Sequence, residues 1–244
     1  MKAGIIAAGE GSRLKSEGIA VPKPLVPVDG VPLIERLLSS FRHCGITEVV
    51  CIVNEYSLEV KRFVEERRLN IPVRFVVKTT PSSMHSLFAL APSLTDGPFL
   101  LSTVDSIFNE EEFSRFLEHA QRRQSVDGVL AVTDYIDDEN PLYVQVDRKN
   151  RIMGFVREHS SNKSSFDSAQ DDVLELVTGG LYVFSPRIFN EVDVALKQGV
   201  ERLRNFLGHL LQQGYKLEAF KFSKIVDVDH VHDIQTAEEL LRAR

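Results

Sequence analysis

Apolar residues fall in short, regularly spaced runs along the first half of the chain, and the period within a run alternates between strand-like and helical. Residues 2–8, KAGIIAA, are an apolar run closed by Gly9, which predicts a buried first strand. Residues 31–44 carry Ile34, Leu37, Leu38 and Phe41 at helical spacing, and Gly45 stops them. TEVVCIV at 47–53 predicts a second buried strand. A helix with Val60, Phe63 and Val64 inward follows, then a third strand, PVRFVV, at 72–77. A short helix near 83–91 precedes PFLLSTV at 98–104, a fourth strand, and residues 109–124 are again helical, with Phe113, Phe116, Leu117 and Ala120 on one side. Buried strands alternating with helices predict a mostly parallel sheet with helices on both faces, a three-layer α/β/α, Rossmann-like class.

The second half changes character. GVLAVT, LYVQVD, RIMGFV and ELVTGGLYVF read as close-spaced strands, two of them joined by the turn RKN after Asp147, so a β-hairpin region is expected here and a mixed sheet overall. Helices near 186–196 and 200–213 follow, then strands KLEAFKF and KIVDV, and a last helix carrying Ile234, Ala237, Leu240 and Leu241. No repeat divides the chain, so one domain over 1–244 is expected, built from halves 1–125 and 126–244. EHSSNKSSFDSAQDD, at 158–172, has almost no apolar residue and is expected to be a flexible loop, either a lid over a site or a solvated insertion.

Composition adds mostly exclusions. Of 244 residues, 43% are hydrophobic and 26% charged, as in ordinary soluble domains. The formal net charge of -6 gives no whole-chain basic field, so neither nucleic acid nor an anionic membrane is an expected partner. Cys44 and Cys51 are the only cysteines, too few for a disulfide framework or a thiolate metal set. No apolar run approaches the ~18 residues of a membrane span, and MKAGIIAAG is too short for a secretory leader. A cytoplasmic protein is the expectation. A homo-oligomer is compatible with the sequence but not indicated by it.

The chemistry begins where the first strand ends. AAGEGSRL at 7–14 puts two glycines and a serine at the carboxyl edge of a parallel sheet, where ligands bind in open α/β folds. Backbone N–H groups of such a loop can nest phosphate oxygens. Arg13 can fork onto phosphate, and Lys23, stiffened between Pro22 and Pro24, supplies a point charge. The loop is not a P-loop, because no Lys-Ser or Lys-Thr follows the glycines. It is not a dinucleotide fingerprint either, because Leu14 stands where the third glycine belongs. Polyphosphate chemistry also wants Mg²⁺, held by one or two carboxylates. Asp105 stands directly after the fourth apolar strand, at the same edge of the sheet.

Taken in order, AAGEGSRL, PKPLVPV and the helix opening VPLIERLL resemble the signature of the nucleotidyltransferases that make nucleotide sugars and related activated headgroups, the sugar-phosphate nucleotidyltransferases. The resemblance implies a GT-A-like fold and transfer of a nucleotidyl group from an NTP to a phosphorylated acceptor, with pyrophosphate leaving. It implies that Ala8, Gly9, Gly11, Ser12 and Arg13 line the nucleotide, that Lys23 reaches the phosphates, and that Asp105 is the first Mg²⁺ ligand. KIVDVDHVHDIQTAEELL resembles the family's late aspartate motif and implies Asp227 as the second ligand. Asp229 there replaces a glycine and His230 a threonine; a related subgroup has an aspartate at position 229, which makes Asp229 a secondary candidate. DVDHVHD is also open to reading as a His/Asp metal cluster of its own, although His230 and His232 would face opposite ways along a strand.

TTPSSMHSLFAL matches the base-contact segment with Pro81 in register and Ser83 at a glycine position. Ser82 or Ser83 is equally readable as a helix N-cap. On the acceptor side, VTGGLYVF matches through Gly180, Tyr182 and Phe184, and REHSS keeps Glu158. Leu142 and His159 depart from the pattern, which leaves the acceptor open: a sugar 1-phosphate first, phosphocholine or another alcohol phosphate as the alternative. A nucleotide-sensing regulatory subunit without activity is the remaining alternative.

Overall fold

The computed structural model describes residues 1–123, 125–137, 140–156 and 175–243. The first half runs β1 (Lys2–Ile6), α1 (Ser12–Ser16), β2 (Pro27–Val28), β3 (Val31–Pro32), α2 (Leu33–His43), β4 (Glu48–Val53), α3 (Leu58–Arg67), β5 (Val73–Val77), α4 (Ser83–Leu90), β6 (Phe99–Thr103), β7 (Ser106–Phe108) and α5 (Glu110–Arg122). The second half adds β8 (Gly128–Thr133), β9 (Tyr143–Val146), β10 (Ile152–Val156), β11 (Glu175–Phe184), α6 (Val192–Lys197), α7 (Leu203–Gln212), β12 (Leu217–Lys221), β13 (Ile225–Asp227) and α8 (Val231–Arg242). Glu158 and the segment 158–172 lie outside the described residues.

The main sheet has the order β10-β9-β11-β6-β1-β4-β5, with β8 alongside β11 and β12 alongside β8. β6, β1, β4 and β5 are parallel, whereas β11 joins them antiparallel through β6. The sheet is therefore mixed, as the change of pattern at mid-chain predicts. Strand alternation sends side chains to opposite faces. Val49, Cys51 and Val53 pack with Ile34, Leu38 and Phe41 of α2 and with Phe113 and Phe116 of α5. Val50 and Ile52 pack with Leu87 and Leu90 of α4 and with Phe206 and Leu210 of α7. Both helical layers are thus held by burial, roughly 1.5–3 kcal/mol for each fully buried Phe or Leu. α5 also starts on a strong cap: Asn109 Oδ1 accepts from the N–H groups of Glu111 and Glu112 at 2.9 and 3.1 Å.

Two features of the fold were not expected. α1 forms in the polar stretch after the glycine loop, its one apolar residue, Leu14, buried in a third small cluster with Val26, Ile107, Val226, Val228 and Ala237. The other is a two-stranded ladder, β7 with β13, in the register Ile225↔Phe108, Val226↔Ile107 and Asp227↔Ser106. Three-residue strands are too short to show a period, and their pairing joins segments about half the chain apart. This ladder decides what faces the glycine loop.

Candidate functional site

The site is assembled at the carboxyl edge of β1 and β6. β1 ends at Ile6, and the chain reaches Gly11, which caps α1 with φ 60° and ψ 36°. That left-handed conformation favours glycine, and a Cβ built there would lie 3.1 Å from Lys23 Cβ. The glycine loop and the turn carrying Lys23 are thus in close contact. Pro22 precedes the short 3₁₀ turn Lys23–Leu25 and Pro24 sits inside it, which fixes the backbone from which the lysine extends.

Lys23 Nζ donates to Asp105 Oδ2 and, at 2.5 Å, to Asp229 Oδ1. Arg13 Nη1 donates to Asp229 Oδ2 at 2.7 Å. The Lys23 side chain is only 10% exposed. Burial alone would lower its pKa, but the charges of Asp105 and Asp229 outweigh that and raise it above the ordinary lysine value. Burial likewise pushes Asp105 up, and the Lys23 ammonium overrides it, so Asp105 titrates below the usual carboxylate range. Asp227 goes the other way. Burial, reinforced by the charge of Asp105, pushes it up to about 7, against an opposing hydrogen bond from Ser106.

Asp227 reaches this neighbourhood through the β7–β13 ladder. It pairs with Ser106, whose Oγ donates to Asp227 Oδ1 at 2.8 Å, and the next residue, Val228, donates its N–H to the Asp105 carbonyl at 3.1 Å. Asp105 Oδ1 is buried with no hydrogen-bond partner among the described residues. An orphaned carboxylate oxygen beside a second carboxylate that resists ionisation is an arrangement a divalent cation relieves, so Asp105 and Asp227 fit a Mg²⁺ ion.

Two cavities meet here. The larger, about 340 Å³, is lined by Gly9, Gly11, Ser12, Arg13, Lys23 and Asp105, among others. A narrower one, about 40 Å³, is lined by Asp227, Thr178, Gly179, Tyr135 and Pro141 among others. Arg13 and Asp229 line both. Gly180, next to the lining residue Gly179, sits in a bulge of β11 with φ 72°. A Cβ there would fall 2.3 Å from Ser106 Oγ and 2.4 Å from Thr103 Oγ1.

The other expected residues are placed differently. Ala8 does not line the larger cavity; its carbonyl accepts from Asn54 Nδ2 at 3.1 Å. Neither Pro81 nor Ser83 lines it. Ser83 Oγ accepts from the Leu203 N–H at 3.3 Å, and Ser82 Oγ donates to the Glu201 carbonyl, so this segment fastens α4 to the start of α7. Ser82 is the N-cap residue of α4, with no side-chain cap bond. The strand-like reading of DVDHVHD is corrected: His230 caps α8 and His232 lies in its first turn, which stacks the two rings at 5.4 Å instead of turning them apart. Among the described residues, the group that gathers there is Asp137, His232 and Asp233, not the two histidines.

Sequence reasoning missed Asn54, Ser106 and Glu17. Asn54 follows the buried β4 at the same sheet edge as Asp105, a signal of the kind that identified Asp105. Glu17 accepts from the Val231 N–H at 2.6 Å and meets His230 Nδ1 at 2.5 Å, tying α1 to α8. Nothing in its local sequence marks it.

The family profile of the MobA-like NTP transferase domain matches residues 3–212. The mannose-1-phosphate guanyltransferase of Emericella nidulans is 27% identical over 203 residues, covering 80% of this chain and 52% of that protein. The mannose-1-phosphate guanyltransferase beta-A of Xenopus laevis is 27% identical over 201 residues, with the same coverage. The chain spans about half the length of these relatives. The solved inositol-1-phosphate CTP transferase from T. maritima superposes with a TM-score of 0.79 at 20% identity, over 99% of this chain and 96% of that one, a likeness of fold. Among the described residues, no helix is long and apolar enough to cross a membrane.

Proposed function

The chain belongs to the MobA-like NTP transferase domain family, and from that premise we propose that it transfers a nucleoside monophosphate from an NTP to a phosphorylated acceptor, a sugar 1-phosphate before other alcohol phosphates. Pyrophosphate leaves and an NDP-sugar is formed. The observation that carries the reading is the convergence of Gly9, Gly11, Ser12, Arg13, Lys23 and Asp105 on one cavity of triphosphate size. The relatives support a sugar phosphate as acceptor, since two are mannose-1-phosphate guanyltransferases. An enzyme that draws on NTP and a sugar phosphate fits the cytoplasm.

An ionised acceptor phosphate is already a nucleophile, so the chain has no need of a general base and catalysis rests on alignment and charge. The backbone at Gly9, Gly11 and Ser12 would cradle the triphosphate. Arg13 would hold the departing pyrophosphate and Lys23 the phosphate under attack. Asp105 and Asp227 would hold Mg²⁺, which when bound neutralises phosphate charge. Gly180, packed against the Thr103 and Ser106 hydroxyls, would shape the acceptor side from beneath, and Glu158 would hold the acceptor's hydroxyls. Pro81 and Ser83, at the start of α4, lie outside that cavity, and a contact with the base would need the nucleotide to extend beyond it.

The test is pyrophosphate release from each NTP against a panel of sugar 1-phosphates, phosphocholine and other alcohol phosphates. One productive pair, lost in Asp105→Ala, supports the reading. NTP binding without release in every mixture would favour a nucleotide sensor instead.

A further inference from the structure

We propose that Asp229 makes the triphosphate site selective for the metal-bound polyphosphate: its carboxylate occupies Lys23 and Arg13 itself and surrenders them only when a divalent cation is present. The inference rests on the triphosphate reading of the site and concerns a residue that differs from the glycine the motif calls for. Asp229 Oδ1 accepts from Lys23 and Oδ2 from Arg13, so one side chain engages both cations expected to hold phosphate. Its backbone is fixed, because the Asp229 N–H donates to Asp233 Oδ2 at 2.8 Å in the capping turn of α8. The carboxylate is therefore held at the cations by a helix start and is not a passing surface contact. It also stands on the boundary shared by the two cavities, where the Arg13–Asp229 pair separates the triphosphate side from the side lined by Asp227.

Charge decides the consequence. Lys23 and Arg13 bring two positive charges, and Asp105 and Asp229 cancel them, before Asp227 is counted. A bare polyphosphate entering the larger cavity would meet no net positive charge and would have to displace a carboxylate from each cation. With a divalent cation on the aspartates, the same entry adds opposite charge, and Lys23 and Arg13 can exchange carboxylate for phosphate oxygens at little loss. With glycine at 229, both cations would be freer and metal-free polyphosphate would bind.

Inorganic tripolyphosphate is the probe, because it removes base and acceptor from the question. Its binding is measured by titration calorimetry to the wild type, Asp229→Asn and Asp229→Gly, each in EDTA and in excess Mg²⁺, with circular dichroism melts as the check of folding. The expected result is a gain: in EDTA both variants bind at least about tenfold tighter than the wild type, and the ratio of affinities with and without Mg²⁺ shrinks by the same factor. A merely structural role for Asp229 would give weaker binding in both conditions. Equal or weaker binding of the variants in EDTA, while all three proteins bind in Mg²⁺, overturns the inference and leaves the triphosphate site standing. Should neither tripolyphosphate nor any of the four NTPs bind in either condition, the triphosphate site itself is refuted and the inference with it. If Asp229→Gly fails to fold, the near-isosteric Asp229→Asn decides.

Discussion

Replacing Lys23 by alanine would leave Asp105 and Asp229 facing a common gap, with Asp227 close to Asp105. Breaking a buried pair by removing one partner costs roughly 3–5 kcal/mol, because the charge left behind is desolvated and unpaired. In this site a second cation can take over part of that task. Lys23→Ala is expected to lower Tm by several degrees in EDTA, to recover part of the loss in Mg²⁺, and to reduce pyrophosphate release at least ~100-fold in both. A variant with near wild-type release would remove Lys23 from the chemistry. Asp227 makes the matching prediction in pH. Its folded-state pKa, about 7, lies above the ordinary carboxylate value, so the unfolded chain ionises first as pH rises. The folded state then binds more protons than the unfolded one between about pH 4 and 7, and stability from this group falls across that window, levelling above it. Asp227→Asn is therefore expected to raise the Tm of the metal-free protein more at pH 8 than at pH 5. Metal affinity should climb about tenfold per unit up to about pH 7, as metal displaces the Asp227 proton, and then flatten; a flat profile from pH 5.5 to 8 would exclude Asp227 as a ligand.

At the scale of elements, the two special glycines separate a packing role from a positioning role. Ala at 180 would need a left-handed backbone and place a methyl against both Ser106 Oγ and Thr103 Oγ1, at an expected cost of about 2–4 kcal/mol. It would also push on the hydroxyl that holds Asp227. Ala at 11 would need the same backbone but makes its one tight approach to Lys23 Cβ, at 3.1 Å, so about 1–2 kcal/mol is expected. Its effect should appear instead as a raised KM for the NTP, and Gly11→Ala losing stability alone would detach the loop from the nucleotide. The same contrast marks what the sequence could reveal. β1, β4 and β6 were legible because buried parallel strands are continuous apolar runs, and Asp105 because it follows one of them closely and falls in order with the family's motifs. β7 was not, since SIF becomes a strand only by pairing; β13 was expected within KIVDV, but nothing local in either segment announced that the two would pair. Asp227 was found by motif, and the ladder supplies the physical reason it stands near Asp105. Pro81 and Ser83 matched a motif by spacing, yet the Ser83 hydroxyl serves the Leu203 N–H, a contact no local pattern announces.

Over the whole molecule, the boundary near residue 125 divides two patterns of sequence but not the sheet. β11, from the second half, pairs with β6 of the first, and Leu181 and Val183 share one apolar cluster with Ile5, Phe41 and Phe113. The site crosses the same boundary, since β13 brings Asp227 and the start of α8 brings Asp229 to residues of the first half. A fragment ending at 125 would lose the antiparallel partner of β6 and leave its edge, and the parts of α4 and α5 that pack on the second half, open to water. We therefore expect the halves to unfold together. At about 0.7 kcal/mol per residue near 60 °C, a single transition of 244 residues has an enthalpy of about 170 kcal/mol, and the van't Hoff and calorimetric values should agree near it. Independent halves would instead give a van't Hoff enthalpy near half the calorimetric one, or two resolved peaks. In that event the 1–125 fragment should fold alone and hold tripolyphosphate weakly, through Arg13, Lys23 and Asp105 without Asp227 or Asp229. Differential scanning calorimetry of the whole chain in EDTA, repeated in Mg²⁺ with NTP, distinguishes the cases. Ligand that spans both halves should raise Tm while leaving one peak, because it binds only where the halves have already met.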